Sequence, residues 1–264
     1  MPHTSFLDTP SGRLAYSRTG KGQPVVLLHP IGIDRRWWDN YVAVWAADYD
    51  VIAVDFRGHG ESSRVTSPIT LDDHAADVAA ILRAEHVASA HLAGVSMGGM
   101  VAQRVAIDYP DLVASLILCA TAGTFPDEVR PRIRARGDTS RTGVMSEVVE
   151  GTLDRWFLAS RPQAELVERC RLELLAEDWY GWSANWEAIA ALDNLQGLAQ
   201  VHVPALVVAA ADDASIPPAL VEKIAQALPN ATFINVPGTS HFGAFETPEH
   251  FEPRFRQFLQ KVVG

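Results

Sequence analysis

Cysteine is scarce in this chain: there are two in 264 residues, Cys119 and Cys170. Two thiols cannot build the disulfide framework of a small secreted domain, and they read as unrelated reduced cysteines of a cytosolic protein. No Cys/His spacing fits a zinc site, and neither a Gly-x-Gly-x-x-Gly fingerprint nor a phosphate loop is present. No metal and no cofactor are therefore expected. Basic charge is also short, with 22 Lys and Arg against 32 Asp and Glu and a net charge of −10. That balance argues against a nucleic-acid partner, which calls for a basic footprint. The stretch Met1–Asp8 has neither a basic flank nor a long apolar run, so a signal peptide, a membrane partner and a membrane span are not expected, and the expected location is cytoplasmic. Repeats and low-complexity segments are absent.

What is present is an alternation. Strand-length apolar runs, Val25–His29, Val51–Phe56, Ala90–Ala93, Leu116–Cys119, Ala205–Ala209 and Thr232–Val236, are separated by helical patterns. The helices read as Trp37–Ala47, Thr70–His86 with a Thr70/Asp73 capping signal, Pro218–Ala227 and Pro248–Val262. Continuous apolar strands alternating with helices mean an α/β fold with a mostly parallel sheet covered on both faces. From Thr124 to Gln200 the alternation stops: that stretch is helical, charged and rich in tryptophan (Trp156, Trp179, Trp182, Trp186). The expectation is a core domain, residues 1–123 and 201–264, with a helical cap lobe, 124–200, inserted over the carboxyl ends of the strands.

One pentapeptide carries chemistry, Gly94-Val95-Ser96-Met97-Gly98. It follows a strand and opens a helix, the setting of a nucleophile elbow, in which a strained turn lifts the serine hydroxyl off the sheet. Bulky side chains two residues to either side would clash there, which accounts for Gly94 and Gly98. A serine hydroxyl needs a base, and the base needs an orienting acid. Both follow in chain order. Asp212 and Asp213 lie just past the strand ending at Ala209, and His241 lies just past the strand ending at Val236; the residues alone leave the choice between the two aspartates open. An oxyanion hole would draw one N–H from Met97 and one from the loop His29-Pro30-Ile31-Gly32, where Pro30 has none to give and Ile31 is the candidate.

These residues resemble the α/β-hydrolase superfamily, through His29–Gly32, Asp55–Ser62, Gly94–Gly99, Pro204–Val208 with Asp213 and Pro217, and Gly238–His241. The resemblance covers nearly the whole chain. Within the superfamily the chain is most similar to the 3-oxoadipate enol-lactonase group, through Gly98–Gln103, Leu116–Cys119 with Thr121-Ala122, and Asp154–Phe157. The resemblance implies a Gly-x-x-Asp-x-x-x-Pro pattern that selects Asp213 as the acid. It also points to Trp156 as a pocket residue and to a structural role for the Arg57–His59 turn. Two positions depart from the pattern: Ala210 and Pro30 stand where glycine is usual.

The expected activity is thus a cofactor-free serine hydrolase acting on a small lactone or carboxylic ester through an acyl-enzyme on Ser96. The lobe arginines Arg130, Arg132, Arg134 and Arg136 are candidate anchors for an anionic substrate, with Arg132 assigned to the pocket. Acyl-homoserine lactonase, carboxylesterase, perhydrolase and carbon–carbon hydrolase activities are alternatives on the same residues, and a hydrolase-like ligand receptor is a second class.

Overall fold

Strands without polar alternation have to be covered on both faces, and the chain meets that demand with one eight-stranded sheet. The computed structural model describes residues 3–138, 143–158 and 163–263; of the N-terminal reading, Met1 and Pro2 lie outside the described residues. The strands are β1 (Thr4–Thr9), β2 (Gly12–Gly20), β3 (Gln23–Leu28), β4 (Tyr49–Val54), β5 (Ala90–Val95), β6 (Val113–Cys119), β7 (Ala205–Ala210) and β8 (Ala231–Val236). They lie side by side in the order β1-β2-β4-β3-β5-β6-β7-β8. The β1/β2 and β2/β4 pairs are antiparallel and every other pair is parallel. Every residue of β4, β5 and β7 is buried. The strand order changes direction between β3 and β5, so their carboxyl ends flank the crevice where such sheets bind ligands.

The helices are α1 (Asp39–Trp45), α2 (Leu71–Ala84), α3 (Met97–Asp108), α4 (Arg130–Ala135), α5 (Ser146–Trp156), α6 (Ala164–Ala176), α7 (Trp179–Ala190), α8 (Leu195–Leu198), α9 (Pro218–Ala227), α10 (Gly243–Glu246) and α11 (Pro248–Val263). α2 opens with the anticipated capping box: Asp73 N–H donates to Thr70 Oγ1, and Thr70 N–H donates to the Asp73 carboxylate. Both cysteines are free and buried, Cys119 on β6 and Cys170 on α6.

The β1–β2 hairpin has no counterpart in the strands read from sequence. Its outer strand alternates partly buried and exposed residues, Thr4-Ser5-Phe6-Leu7-Asp8-Thr9, so it shows no apolar run. The hairpin caps the edge of the sheet and is held from outside, by N–H donation from Arg13 to Ser63 Oγ and from Ala15 to Ser62 Oγ, both 2.8 Å.

Between β6 and β7 the described residues form only helices, apart from one isolated bridge. That bridge, Thr124 with Asp193, and the bond from Asn194 N–H to Gly123 O, 2.7 Å, draw the two ends of the segment together. α8 beyond it packs against α3 and α9. Farther out, α7 is tied to α2: His74 Nε2–H donates to Asn185 Oδ1 at 2.7 Å, with both side chains buried. Among the described residues no helix is long and apolar enough to cross a membrane.

Candidate active site

β5 passes into α3 through a single residue, Ser96, whose φ of 54° and ψ of −118° lie in territory that a side chain rarely tolerates. Three hydrogen bonds hold it there. Ser96 N–H donates to Cys119 O at 3.0 Å, and Ser96 O accepts from Met100 N–H at 3.1 Å and from Thr121 Oγ1 at 2.7 Å. The turn also needs close backbone approach. A Cβ on Gly94 would lie 2.3 Å from Gly98 O, and one on Gly98 would lie 2.1 Å from Leu28 O. The two glycines therefore let α3 start directly against the ends of β3 and β5.

His241 and Asp213 leave the same edge of the sheet, from the loops after β8 and β7. His241 Nδ1 is 2.7 Å from Asp213 Oδ2, and the side chains are 1% and 0% exposed. Asp213 Oδ1 accepts from Ser215 N–H at 2.7 Å and from Ile216 N–H at 2.8 Å. A carboxylate accepting on both oxygens receives the Nδ1 proton, which leaves His241 Nε2 as the nitrogen with a lone pair. Asp212 is exposed, and its N–H joins the two loops through Thr239 O at 3.0 Å. Geometry thus separates the two aspartates. Ser96 is a buried residue, and its hydroxyl is not hydrogen-bonded to the imidazole.

Ile31 and Met97 are both buried. Met97 is the first residue of α3, so its N–H has no acceptor within the helix and sits at the positive end of the helix dipole. Ile31 lies in the loop after β3, which is fixed at its base by His29. His29 Nδ1–H donates to Pro30 O at 2.6 Å, and its Nε2 accepts from Phe56 N–H at 3.0 Å. Burial pushes the His29 pKa down to about 4, so the ring stays neutral in this role. Gly32, with φ of +76°, lies so close under α6 and α7 that a Cβ would meet Leu174 and Trp182 at 2.5 and 2.6 Å.

The remaining sequence candidates separate. Trp156 is buried and stacks on Phe242, with centroids 4.6 Å apart and planes at 13°; its ring is 6.2 Å from that of His241. Trp182 and Trp186 are buried in α7, whereas Trp179 is partly exposed. Arg132 is exposed on α4 and hydrogen-bonds to none of the residues above. Arg136, at the end of α4, and Arg155, at the end of α5, are half-buried, as are Arg130 and Arg171. Arg136 was one of four undifferentiated lobe arginines in the sequence. Arg155 had no signal of its own, since helical spacing does not reveal which charged residue turns inward. The Arg57–His59 turn is structural: Arg57 Nε donates to Asp77 at 2.5 Å, and His59 is buried against His29 with ring centroids 5.1 Å apart. Among the described residues no cluster of three or more His, Cys, Asp or Glu could hold a metal ion.

A parallel sheet with a strained serine turn at its crevice and an Asp–His pair on the following strand ends defines a class. The family model described as "alpha/beta hydrolase fold" matches residues 23–248. The chain belongs to the α/β-hydrolase family. It is 28% identical to 3-oxoadipate enol-lactonase 2 of Acinetobacter baylyi over 95% of this chain and 96% of that one. Among solved structures, a hydrolase from Pseudomonas aeruginosa PA01 superposes with a TM-score of 0.90 at 31% identity, covering 97% of this chain and 98% of that one. A thermophilic esterase from Thermogutta terrifontis, solved with malate bound, gives a TM-score of 0.90 at 29% identity, covering 98% and 99%.

Proposed function

We propose that the chain is a serine hydrolase that cleaves small lactones or carboxylic esters through an acyl-enzyme on Ser96. The observation that carries this reading is the strained Ser96 turn at the same sheet edge as the buried His241–Asp213 pair. In the reaction, Ser96 Oγ adds to the substrate carbonyl while its proton passes to His241 Nε2. Asp213, held by two backbone N–H groups, orients the ring and stabilises the imidazolium. The N–H groups of Met97 and Ile31 receive the oxyanion. The tetrahedral adduct then collapses, the carbon–oxygen bond to the leaving group breaks, and His241 returns its proton to the departing oxygen. Water repeats the sequence against the acyl-enzyme, giving up a proton to His241 and regenerating Ser96 with release of the acid. The Ser96–His241 hydrogen bond forms when the substrate carbonyl is in place, as such bonds tighten in the reacting complex. In this reading the helices within residues 124–200 are a cap over a core made of 1–123 and 201–264.

Similarity to an enol-lactonase and an esterase supports the lactone and ester classes together. The deciding measurement is acid release across enol-lactones, acyl-homoserine lactones, 4-nitrophenyl esters and thioesters. Ser96→Ala is expected to lower kcat by about 10⁴- to 10⁶-fold on any compound turned over. A folded variant that keeps a tenth of wild-type turnover rules out Ser96 as the nucleophile.

A further inference from the structure

Asp213 is aimed at the imidazole by the turn that follows it. Ser215 and Ile216 give their N–H groups to Oδ1 at 2.7 and 2.8 Å, while Oδ2 faces His241 Nδ1 at 2.7 Å. The place of Ser215 therefore sets the direction of the carboxylate. The core secures one flank of this loop: Ala211 N–H donates to Val236 O at 2.9 Å, and Asp212 N–H donates to Thr239 O at 3.0 Å. The other flank is met by the helices between β6 and β7. Arg136 Nη1 donates to Ser215 Oγ at 3.2 Å, and Nη1 and Nη2 both lie 3.5 Å from Ser215 O. Among the described residues no other side chain hydrogen-bonds to the Ser215 hydroxyl or carbonyl.

Arg136 is itself pinned. Its carbonyl accepts from Trp182 Nε1–H at 3.3 Å, and its guanidinium carbon lies 5.6 Å from the centroid of the Trp186 ring. Gly137, the next residue, is so close to Trp186 that a Cβ would meet that side chain at 2.5 Å. α4 and α7 pack against each other, so the arginine is carried on a paired-helix base. Burial and the charge of Arg155 push its pKa down to about 10, and the charge of Asp213 works the other way. A buried cation without an ion pair is costly, and the hydrogen bonds that offset the cost end on Ser215. We propose that Arg136 is a positioning residue: its planar fork on the Ser215 hydroxyl and carbonyl fixes the turn that aims Asp213 at His241, so the seating of α4 and α7 sets the alignment of that pair. A lysine, as a point charge on a flexible stem, holds two such acceptors less well. The effect on turnover rests on the hydrolase reading, whereas the hold on the Asp213–His241 bond does not.

Two readouts on the full-length protein test this. The first needs no substrate. It is the low-field proton resonance of His241 Nδ1–H, assigned by its absence from His241→Gln and slowed in its exchange with water by the bond to Asp213. Arg136→Gln is expected to broaden or erase this resonance, and Arg136→Lys to broaden it less. Ser215→Ala removes the hydroxyl and keeps the N–H to Asp213, so it folds as the wild type does and broadens the resonance to a smaller degree. The second readout is steady-state kinetics on any ester that the wild type turns over. The expected fall in kcat is about threefold in Ser215→Ala and about tenfold in Arg136→Gln, with KM within about twofold. The double variant should fall about tenfold, not the roughly thirtyfold of independent effects. Losses that multiply overturn the proposal, as does a rise in KM at unchanged kcat. An Arg136→Gln protein that is less stable in urea but keeps the resonance and kcat has lost a merely structural arginine; that result refutes the positioning role and leaves the hydrolase reading standing. Loss of the resonance in Arg136→Gln, from a protein that turns over no ester, does the reverse.

Discussion

Ser96 sits at a φ of 54°, a conformation that costs of the order of 1–3 kcal/mol for a residue with a side chain, and the hydroxyl gains no hydrogen bond there in return. Strain of that kind persists only where the surroundings impose it, here through the bonds from Thr121 and Met100 to Ser96 O. Asp213 and Asp212 make the complementary case, because adjacent identical side chains have opposite surroundings: one is buried and bonded to His241, the other is in solvent. Asp213→Asn is accordingly expected to lower kcat by about 10⁴-fold, since the amide presents the wrong hydrogen-bonding partner to Nδ1–H, whereas Asp212→Asn should stay within about twofold. Steady-state kinetics on any ester that the wild type turns over decides it, and equal losses in the two variants refute the assignment of Asp213 as the acid.

Among the elements, the serine turn was legible because its constraint is written in residue types: two glycines at fixed spacing between an apolar run and a helix former. The structure supplies the reason, a Gly98 Cβ position 2.1 Å from the backbone carbonyl of Leu28, which cannot rotate away as a side chain would. Gly98→Ala should therefore push α3 off β3, costing about 1–3 kcal/mol in denaturant unfolding and lowering kcat far more than KM by parting Met97 N–H from Ile31 N–H. Unchanged stability and kcat would show that the loop after β3 yields freely. The buried strands were legible for a similar reason, being uninterrupted apolar runs. The β1–β2 hairpin was not, because an edge strand of mixed polarity is defined by its partner and by the hydroxyls of Ser62 and Ser63 rather than by its own pattern. Nor could spacing tell Arg132 from Arg136 and Arg155. Which charged residue of a short helix faces inward depends on how that helix is seated against its neighbours.

For the molecule as a whole, the buried polar centre around β3, β4 and α2 contributes to the response to pH. His29, His59 and His74 lie together near Phe56, with ring centroids of 4.7–5.1 Å between the contacting pairs. Burial pushes His29 and His74 down to about 4 and His59 well below its ordinary value. A base whose pKa is depressed in the folded state takes up its proton first in the unfolded chain. Stability from the neutral rings is therefore full above the ordinary histidine pKa of about 6.5, and it is lost progressively as pH falls from there toward about 4. Asp55 and Asp77, pushed up to about 6 by burial, act in the opposite sense, because the folded state protonates them first as pH falls. The net slope mixes the two, so one histidine has to be isolated. From pH 7 to pH 5 a shift of the size seen at His74 corresponds to about 2 kcal/mol. His74→Gln keeps a donor toward Asn185 but cannot titrate, and it should lose about 2 kcal/mol less than the wild type between those two pH values in urea unfolding. An identical pH-dependent loss in both proteins would mean that His74 titrates at the same pH in the folded and unfolded chains, and that burial against Asn185 does not depress its pKa.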